Sequence, residues 1–229
     1  MTGGPAAPAR RDDGLSLLEL VVAMGISSIL IALVVSMFVS GSRAVYDQEA
    51  STLNARLAST SMNEVTRIVR AGTEIPVRGS STNLAVFSYA GAETIVMYSF
   101  IDAETASDPA PLKVQFARNA ANELVETRWA GYHKFVGYWD FRDASTERII
   151  ARSLMPPVAS SPLFTYYDKT GARLTPASGA SLTSAQIRNI ASVQVTMQVQ
   201  GDQSGRVAPV QIQNMVGLPN LGVARVEVR

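Results

Sequence analysis

The sequence predicts an α+β protein in which a long N-terminal α-helix packs on a β-rich globular head. Three observations support this prediction. Residues 15–39 form an almost uncharged apolar run, residues 43–71 continue it with an amphipathic pattern, and residues 72–229 contain short β-like segments separated by turn signals. The expected outline is a ladle, with the helix as its stem.

The apolar run reads LSLLELVVAMGISSILIALVVSMFV and carries a single charge, Glu19. As a helix it would measure about 37 Å, which exceeds the ~30 Å hydrocarbon core of a bilayer. Its Leu, Ile, Val and Phe residues favour insertion by roughly 7 kcal/mol, against about 3 kcal/mol for one central acidic side chain. We therefore expect a membrane-spanning helix despite Glu19.

Flanking positive charges predict the orientation of this helix. Arg10 and Arg11 precede the run and Arg43 follows it, which favours a cytoplasmic N-terminus and places the head outside the cytoplasm. The run is longer than the apolar core of a cleaved secretory signal, which has about 7–15 residues. Taken alone, it indicates an uncleaved signal anchor.

The second half of the helix is expected to pack on the head. No proline occurs between Arg43 and Arg70, and Ala71 and Gly72 provide a C-terminal stop. Together with the apolar run, the predicted helix measures roughly 85 Å. The apolar residues expected to form its packing stripe are Val45, Leu53, Leu57, Val65, Ile68 and Val69.

The head is predicted to be one domain with eight strands and one short helix. The expected strands cover 84–89, 94–100, 112–118, 123–129, 148–154, 163–167, 191–200 and 206–214. The strict alternation of Val193, Val195, Met197 and Val199 with polar residues is typical of a half-buried strand. Residues 184–189 suit a short helix capped by Thr183 or Ser184. We expect turns at 119–122, 168–171 and 201–205, and loops at 103–111 and 156–162, the second separating two sheet portions.

Composition excludes several classes of chemistry. The chain has no Cys and one His, His133, and 20 basic residues oppose 19 acidic ones. Thiol catalysis, Cys-ligated metals and disulfides are therefore excluded, and the net charge of +1 gives no electrostatic case for nucleic-acid binding. Nucleotide-binding and hydrolase motifs are also absent. We expect no enzymatic activity and no cofactor.

Two clusters are weaker candidates for sites. Asp102, Glu104 and Asp108 share one loop but lack the spacing of an EF-hand, so a solvated acidic loop is expected rather than a calcium site. Aromatic residues surround His133 between Trp129 and Phe141. A cluster in or at the edge of the core is expected there, with a contact surface for a partner or glycan as the alternative.

The most informative pattern is Gly14 directly before the apolar run and Glu19 five residues later. A glutamate at one fixed place inside a membrane span is rare. This pattern resembles the prepilin signal of type IV pilins and of type II secretion pseudopilins. The sequence pattern of residues 164–222 also resembles that of the C-terminal part of PilW-like minor pilins and J-type pseudopilins.

The resemblance implies processing and assembly. A prepilin peptidase would cut between Gly14 and Leu15 and the new Leu15 amine would be methylated, so that residues 1–14 are a leader, 15–71 the helix and 72–229 the head. Glu19 would pair with the Leu15 amine of a neighbouring subunit, because an unpaired buried charge costs several kcal/mol. The implied partners are other pilins or pseudopilins, the peptidase and an inner-membrane assembly platform. The implied locations are the inner membrane for the precursor, then a filament, the cell surface or the periplasm.

The expected function is that of a minor pilin or pseudopilin in a type IV pilus or type II secretion-like filament. Major pilins often carry a proline in the apolar stretch and a cysteine pair in the head, and this chain has neither. Capping pseudopilins usually lack the glutamate, so Glu19 favours a place below another subunit. Two alternatives stay open: a bitopic membrane protein with a β-rich sensor or ligand-binding head, and an enzyme on a membrane stem.

Overall fold

The computed structural model describes residues 16–101, 110–200 and 208–219. Its first element, helix α1, spans Leu17–Arg70. The chain divides into two compact units, Met1–Gln48 and Glu49–Arg229, and α1 contributes to both. A long apolar helix whose second half packs on β-sheets confirms the α+β prediction.

In the first unit, the helix is uncovered. Every residue from 16 to 41 is exposed, and α1 contains one window that is long and apolar enough to cross a membrane. No proline interrupts it, so the backbone hydrogen bonds of the helix run without a break. Such a surface is suited to lipid or to other apolar helices, and not to water.

The second unit contains two antiparallel sheets. The first sheet has the strand order β1-β2-β3-β4-β5, and the second has the order β7-β6-β8-β9. A short helix, α2, spans Ser184–Asn189. The strands are β1 (Phe87–Ala90), β2 (Thr94–Ser99), β3 (Leu112–Arg118), β4 (Leu124–Phe135), β5 (Tyr138–Ala151), β6 (Phe164–Asp168), β7 (Arg173–Leu174), β8 (Ile190–Val199) and β9 (Val210–Gly217).

One hydrophobic core joins the second half of α1 to both sheets. The helix contributes Ala58, Met62, Val65 and Val69, which recur every three or four residues and therefore lie on one face. Ile68 of the same helix also belongs to the core, and the remaining core residues come from β1 to β6, β8, β9 and the connecting segments. The sheets therefore share the helix as a common packing partner.

The predicted packing stripe was partly wrong. Val65, Ile68 and Val69 are fully buried, but Leu53 and Leu57 are 58% and 54% exposed. The buried face of the helix contains Ala58 and Met62 instead, together with small or polar residues that are also buried. Val45, also predicted in the stripe, is exposed and belongs to the first unit.

Several predicted elements of the head are confirmed. Strand β3 and helix α2 have the expected bounds. Thr183 caps α2 through a capping box with Gln186. The alternating residues of β8 are buried from Val193 to Val199, and residues 156–162 connect the last strand of the first sheet to the first strand of the second.

Other strand bounds differ from the prediction. Strand β1 begins at Phe87, because Leu84 forms only an isolated bridge with Ile75. Leu154, predicted at the end of a strand, likewise forms an isolated bridge with Val199. Strand β9 extends to Gly217, and the predicted turn at 201–205 lies outside the described residues.

The largest difference is the hairpin of β4 and β5, which is much longer than predicted. Both strands continue past the end of β3, whose last partner on β4 is Ala130. Beyond it, among the described strands, they pair with each other, and they close at Val136 and Gly137, where the Gly137 φ of +77° suits glycine. We call this two-stranded extension, residues 130–144, the arm.

Candidate functional site

The start of α1 carries the candidate processing and assembly site. Gly14 and Leu15 lie outside the described residues, so cleavage between them stays a prediction. The first described residue is Ser16, and Glu19 is the third residue of the helix. Glu19 is therefore the part of the predicted site whose local geometry is described.

Ser16 caps this helix. The Glu19 backbone N–H donates to the Ser16 Oγ at 3.2 Å, and the Leu20 N–H donates to the Ser16 carbonyl oxygen at 3.1 Å. This satisfies donors that lack partners at a helix start, and the positive end of the helix dipole favours a carboxylate there. The pattern Ser16-x-x-Glu19 is the sequence signal of such a cap.

Glu19 is the single charged residue between 16 and 41. Its carboxylate stands on a surface of exposed apolar side chains, including Leu18, Leu20 and Val22. When such a surface leaves water, an unpaired carboxylate is unfavourable and a cationic partner becomes strongly favoured. The site can therefore select a partner that supplies one positive charge next to an apolar helix.

Hydrogen bonds fix the second half of α1 to both sheets. The Ser61 hydroxyl donates to the Ile150 carbonyl oxygen of β5 at 2.7 Å. The Asn214 side chain on β9 donates to the Thr66 hydroxyl at 3.1 Å. One helix face is thus bonded to an edge strand of each sheet, which gives the helix a defined rotation about its axis.

An ionic cluster adds to this attachment. Glu64 on α1 accepts from Arg67, Arg128 and Arg148, while Glu126 on β4 accepts from Arg128 and Arg148. Glu126 is completely buried. Two arginines from neighbouring strands therefore bridge a carboxylate of the helix and a carboxylate of the sheet.

The electrostatics of this cluster favour an ionised Glu64 carboxylate. Hydrogen bonds from Arg67 and then Arg148 lower the pKa of Glu64 from 4.5 to about 2, against the opposing effect of burial. Sequence reasoning missed the cluster. The sequence feature that could have indicated part of it is the i,i+3 spacing of Glu64 and Arg67. The arginines that join them from the strands are set by the sheet register.

The prediction of an aromatic cluster in or at the edge of the core was wrong for His133 and its neighbours at the end of the hairpin, whereas Trp129 and Phe141 are half-buried. His133, Tyr132 and Phe135 are exposed, and Val136 at the arm's turn is 97% exposed. The physical reason is the length of the β4–β5 hairpin, which carries these residues beyond the third strand. Trp139 is half-buried and stacks on His133, with ring centroids 3.8 Å apart.

The acidic loop residues Asp102, Glu104 and Asp108 lie outside the described residues, so the choice between a solvated loop and a calcium site stays untested. Within 16–101, 110–200 and 208–219, no group of three or more His, Cys, Asp or Glu side chains is arranged to hold a metal ion.

Comparison with known proteins identifies the N-terminal region. Residues 9–40 match the prokaryotic N-terminal methylation motif, and this stretch includes Gly14, Leu15 and Glu19. No curated protein and no solved structure matches the chain. The motif supports a type IV pilin-like prepilin signal and a structural subunit rather than an enzyme. It is also consistent with processing by prepilin peptidase, assembly into pilus-like filaments and an inner-membrane-anchored precursor.

Proposed function

We propose that this chain is a minor pilin or pseudopilin, a subunit of a type IV pilus or type II secretion-like filament that acts in priming assembly or in presentation near the tip. In this proposal residues 1–14 are a leader, 15–71 the assembly helix and 72–229 the head. The precursor spans the inner membrane once with its head outside the cytoplasm. The mature protein then leaves the bilayer for a filament at the cell surface or in the periplasm.

The observation that carries this proposal is the position of Glu19 within the methylation motif. Residues 9–40 match that motif, Glu19 lies in the first turn of α1, and the following apolar surface is exposed to residue 41. A simple membrane anchor has no need of a carboxylate at that place, because insertion is easier without it.

The mechanism is association driven by burial and fixed by one charge pair. Cleavage after Gly14 creates a positive amine on Leu15, and both this amine and Glu19 leave water when apolar helices pack together. Pairing Glu19 of one subunit with the Leu15 amine of a neighbour removes an unpaired-charge penalty of about 3–5 kcal/mol. A helix that slips along its neighbour leaves both charges unmatched, so the pair also sets the axial register.

Two features support a minor rather than a bulk subunit. The apolar run has no proline, and the chain has no cysteine pair. The presence of Glu19 supports a position below another subunit, since a terminal cap has no neighbour above whose amine it would need. The partners in this proposal are other pilins or pseudopilins, the prepilin peptidase and the inner-membrane assembly platform.

Mass spectrometry of the mature N-terminus tests the proposal. The chain is recovered from the membrane fraction and from sheared filaments, with a peptidase-deficient strain as the control. We expect N-methylated Leu15 in both fractions and a precursor that still carries residues 1–14 in the control membranes. Residues 1–14 attached to filament material, or filaments that never contain the chain, would instead support a bitopic protein with a ligand-binding head.

A further inference from the structure

The arm folds back over the outer face of the first sheet. Trp129 pairs with Ser145, and the next described pair is Gly131 with Phe141, so one residue on β4 opposes three on β5. These extra residues form a bulge that bends the hairpin. As a result the Phe141 ring stacks on Tyr98 of β2, with centroids 5.0 Å apart.

This bend borders a half-open pocket of about 380 Å³, a volume within the range of small-molecule sites. Its floor is a row of cross-strand partners, Tyr98, Lys113 and Trp129, which occupy neighbouring positions on β2, β3 and β4. Partners in such a row point to the same face of a sheet. The opposite face carries Met97 and Val114, which are fully buried in the core.

The bulge supplies the polar wall. Asp140, Arg142 and Asp143 line the pocket together with Trp139. Asp140 is held by Lys134 at 2.6 Å and accepts from the Phe141 N–H. The Asp143 carboxylate, in contrast, accepts no hydrogen bond from the described parts of the chain, which leaves it available to a ligand.

The aromatic wall is fixed before any ligand arrives. His133 stacks on Trp139, and the Phe100 ring meets Trp139 edge to face at 6.3 Å. The ammonium of Lys113 lies 5.0 Å from the Trp129 ring centroid. Rings held in this way lose little conformational freedom on binding, which favours affinity. Both tryptophans of the protein line this one pocket.

The chemistry of the lining selects a ligand class. Two basic side chains and two acidic side chains line the pocket, so it offers no net attraction to a polyanion. Aromatic faces carry negative charge density that attracts polarised C–H groups. Asp143 can only accept hydrogen bonds and Lys113 can only donate them, so a ligand must do both. A pyranose ring combines an apolar C–H face with hydroxyls that donate and accept.

We propose that this pocket binds a neutral hexose unit of a glycan, with the ring against the indoles and its hydroxyls bonded to Asp143, Lys113 and Arg142. Because the pocket lies within the second unit, binding requires neither cleavage of the leader nor assembly into a filament. Glycan binding can therefore be tested independently of the function proposed above.

Tryptophan fluorescence tests this binding directly, since Trp129 and Trp139 are the reporters. The full chain, in a detergent without a sugar headgroup, is titrated with the methyl glycosides of glucose, galactose, mannose and N-acetylglucosamine. We expect a saturable emission change with at least one of them, with a dissociation constant near the millimolar range. Saturation-transfer NMR of the same mixtures should show the strongest transfer to protons on one face of the bound ring.

Variants separate this pocket from an unspecific effect. Asp143→Asn and Lys113→Met should each weaken binding by about tenfold, because each removes a charge-assisted hydrogen bond. Glu147→Gln on the same strand, outside the pocket, should bind as the wild type, and far-UV circular dichroism checks that all variants are folded. No emission change and no saturation transfer with any of the four glycosides would overturn the proposal. Unchanged affinity in both pocket variants would do the same.

Discussion

Arg128 on β4 donates to Glu64 on α1 across 3.0 Å, so a guanidinium of the sheet and a carboxylate of the helix meet where the two elements pack. Arg148 on the neighbouring strand reaches the same Glu64 oxygen and also the buried Glu126. The helix is thus attached by charge as well as by apolar contact. This arrangement makes the stability of the second unit sensitive to the loss of a single carboxylate.

We expect Glu126→Gln to destabilise the second unit by about 3 kcal/mol. The substitution leaves Arg128 and Arg148 beside a neutral amide at a completely buried position, and breaking a buried pair from one side costs that order of free energy. Denaturant unfolding of the full chain in detergent, followed by far-UV circular dichroism, measures the change.

Glu123→Gln is the matched control for this prediction. Glu123 lies one residue before β4 and pairs at 3.3 Å with Arg152, whose side chain is 70% exposed. Exposed pairs contribute about 0–1 kcal/mol, so the control should shift the unfolding midpoint little. Equal losses from Glu126→Gln and Glu123→Gln would contradict the assigned importance of the buried cluster.

Stability should fall as the pH drops from about 5 towards 2. The folded pKa of Glu64 is about 2 and its ordinary value is 4.5, so the stabilisation is complete above the unfolded pKa and is lost as the pH falls through the folded one. Because solvent screens this partly exposed group, we expect a contribution of about 1–2 kcal/mol. The measurement is the urea midpoint at several pH values.

Other carboxyl groups also contribute to the loss of stability at low pH, so a variant is needed to separate their contributions from that of Glu64. A hydrogen bond from Lys134 lowers the pKa of Asp140, and one from the Thr170 hydroxyl lowers the pKa of Asp168. The substitution Glu64→Gln removes only the contribution of Glu64 to the pH dependence of stability. The difference in midpoint between wild type and Glu64→Gln should therefore shrink from pH 6 to pH 2; a constant difference would show that Glu64 does not titrate in this range.

Glu19→Ala should leave membrane insertion intact and reduce incorporation into filaments. Removing the carboxylate makes the apolar run easier to insert, but it leaves the Leu15 amine of the neighbouring subunit unpaired on assembly. With a penalty of about 3 kcal/mol, incorporation should fall by roughly a hundredfold. Immunoblots of membrane and sheared-filament fractions measure both effects.

Glu49→Ala is the comparison for that experiment. Glu49 is an exposed acidic residue of the same helix outside the apolar run, and it should be incorporated like the wild type. Normal incorporation of Glu19→Ala would remove Glu19 from the assembly mechanism, whatever the result for Glu49→Ala.

Gly131→Ala should displace the arm. A Cβ at this position would clash with the Pro111 carbonyl oxygen, which already accepts the Gly131 N–H at 2.9 Å. Backbone atoms cannot rotate away as a side chain can, so we expect a loss of about 1–3 kcal/mol. Thermal unfolding measures it, and the emission of Trp129 and Trp139 should also change.

Gly217→Ala controls for the general effect of a methyl group in a strand. Gly217 ends β9, and a Cβ there would meet nothing within 4 Å. We expect its stability to stay within about 0.5 kcal/mol of the wild type. If Gly131→Ala behaves the same way, the close approach of Pro111 does not constrain the arm.

Elements governed by local chemistry were predictable from the sequence. The alternation from Val193 to Val199 predicts a strand with one buried face, and β8 has that pattern. Thr183 and Gln186 form the capping box of α2, which depends on four consecutive residues alone. The apolar run predicts a long helix for a similar reason, because its length and composition alone suit a membrane-spanning helix.

Features that depend on pairing between distant segments were not predictable. Nothing in the residues of the arm shows that β4 and β5 continue to pair with each other past Ala130, where the described part of β3 ends. The burial of Glu126 follows from its register opposite Phe116 and Arg148, and register is a property of the whole sheet. The outer-face pocket depends on both this register and the bulge. The sequence therefore shows that Trp129 and Trp139 are close together in the chain, but not that both line one pocket.

The hydrophobic core uses Ala58, Met62, Val65 and Val69 of α1 as one of its walls. A shortened, water-soluble version of the head must therefore begin near Glu49, where the second compact unit starts. A truncation at Gly72 would remove the helix residues that cover both sheets. The inner apolar faces of the sheets would then be exposed, and we expect the product to aggregate. The exposed apolar segment and the segment that completes the head are consecutive stretches of one α-helix.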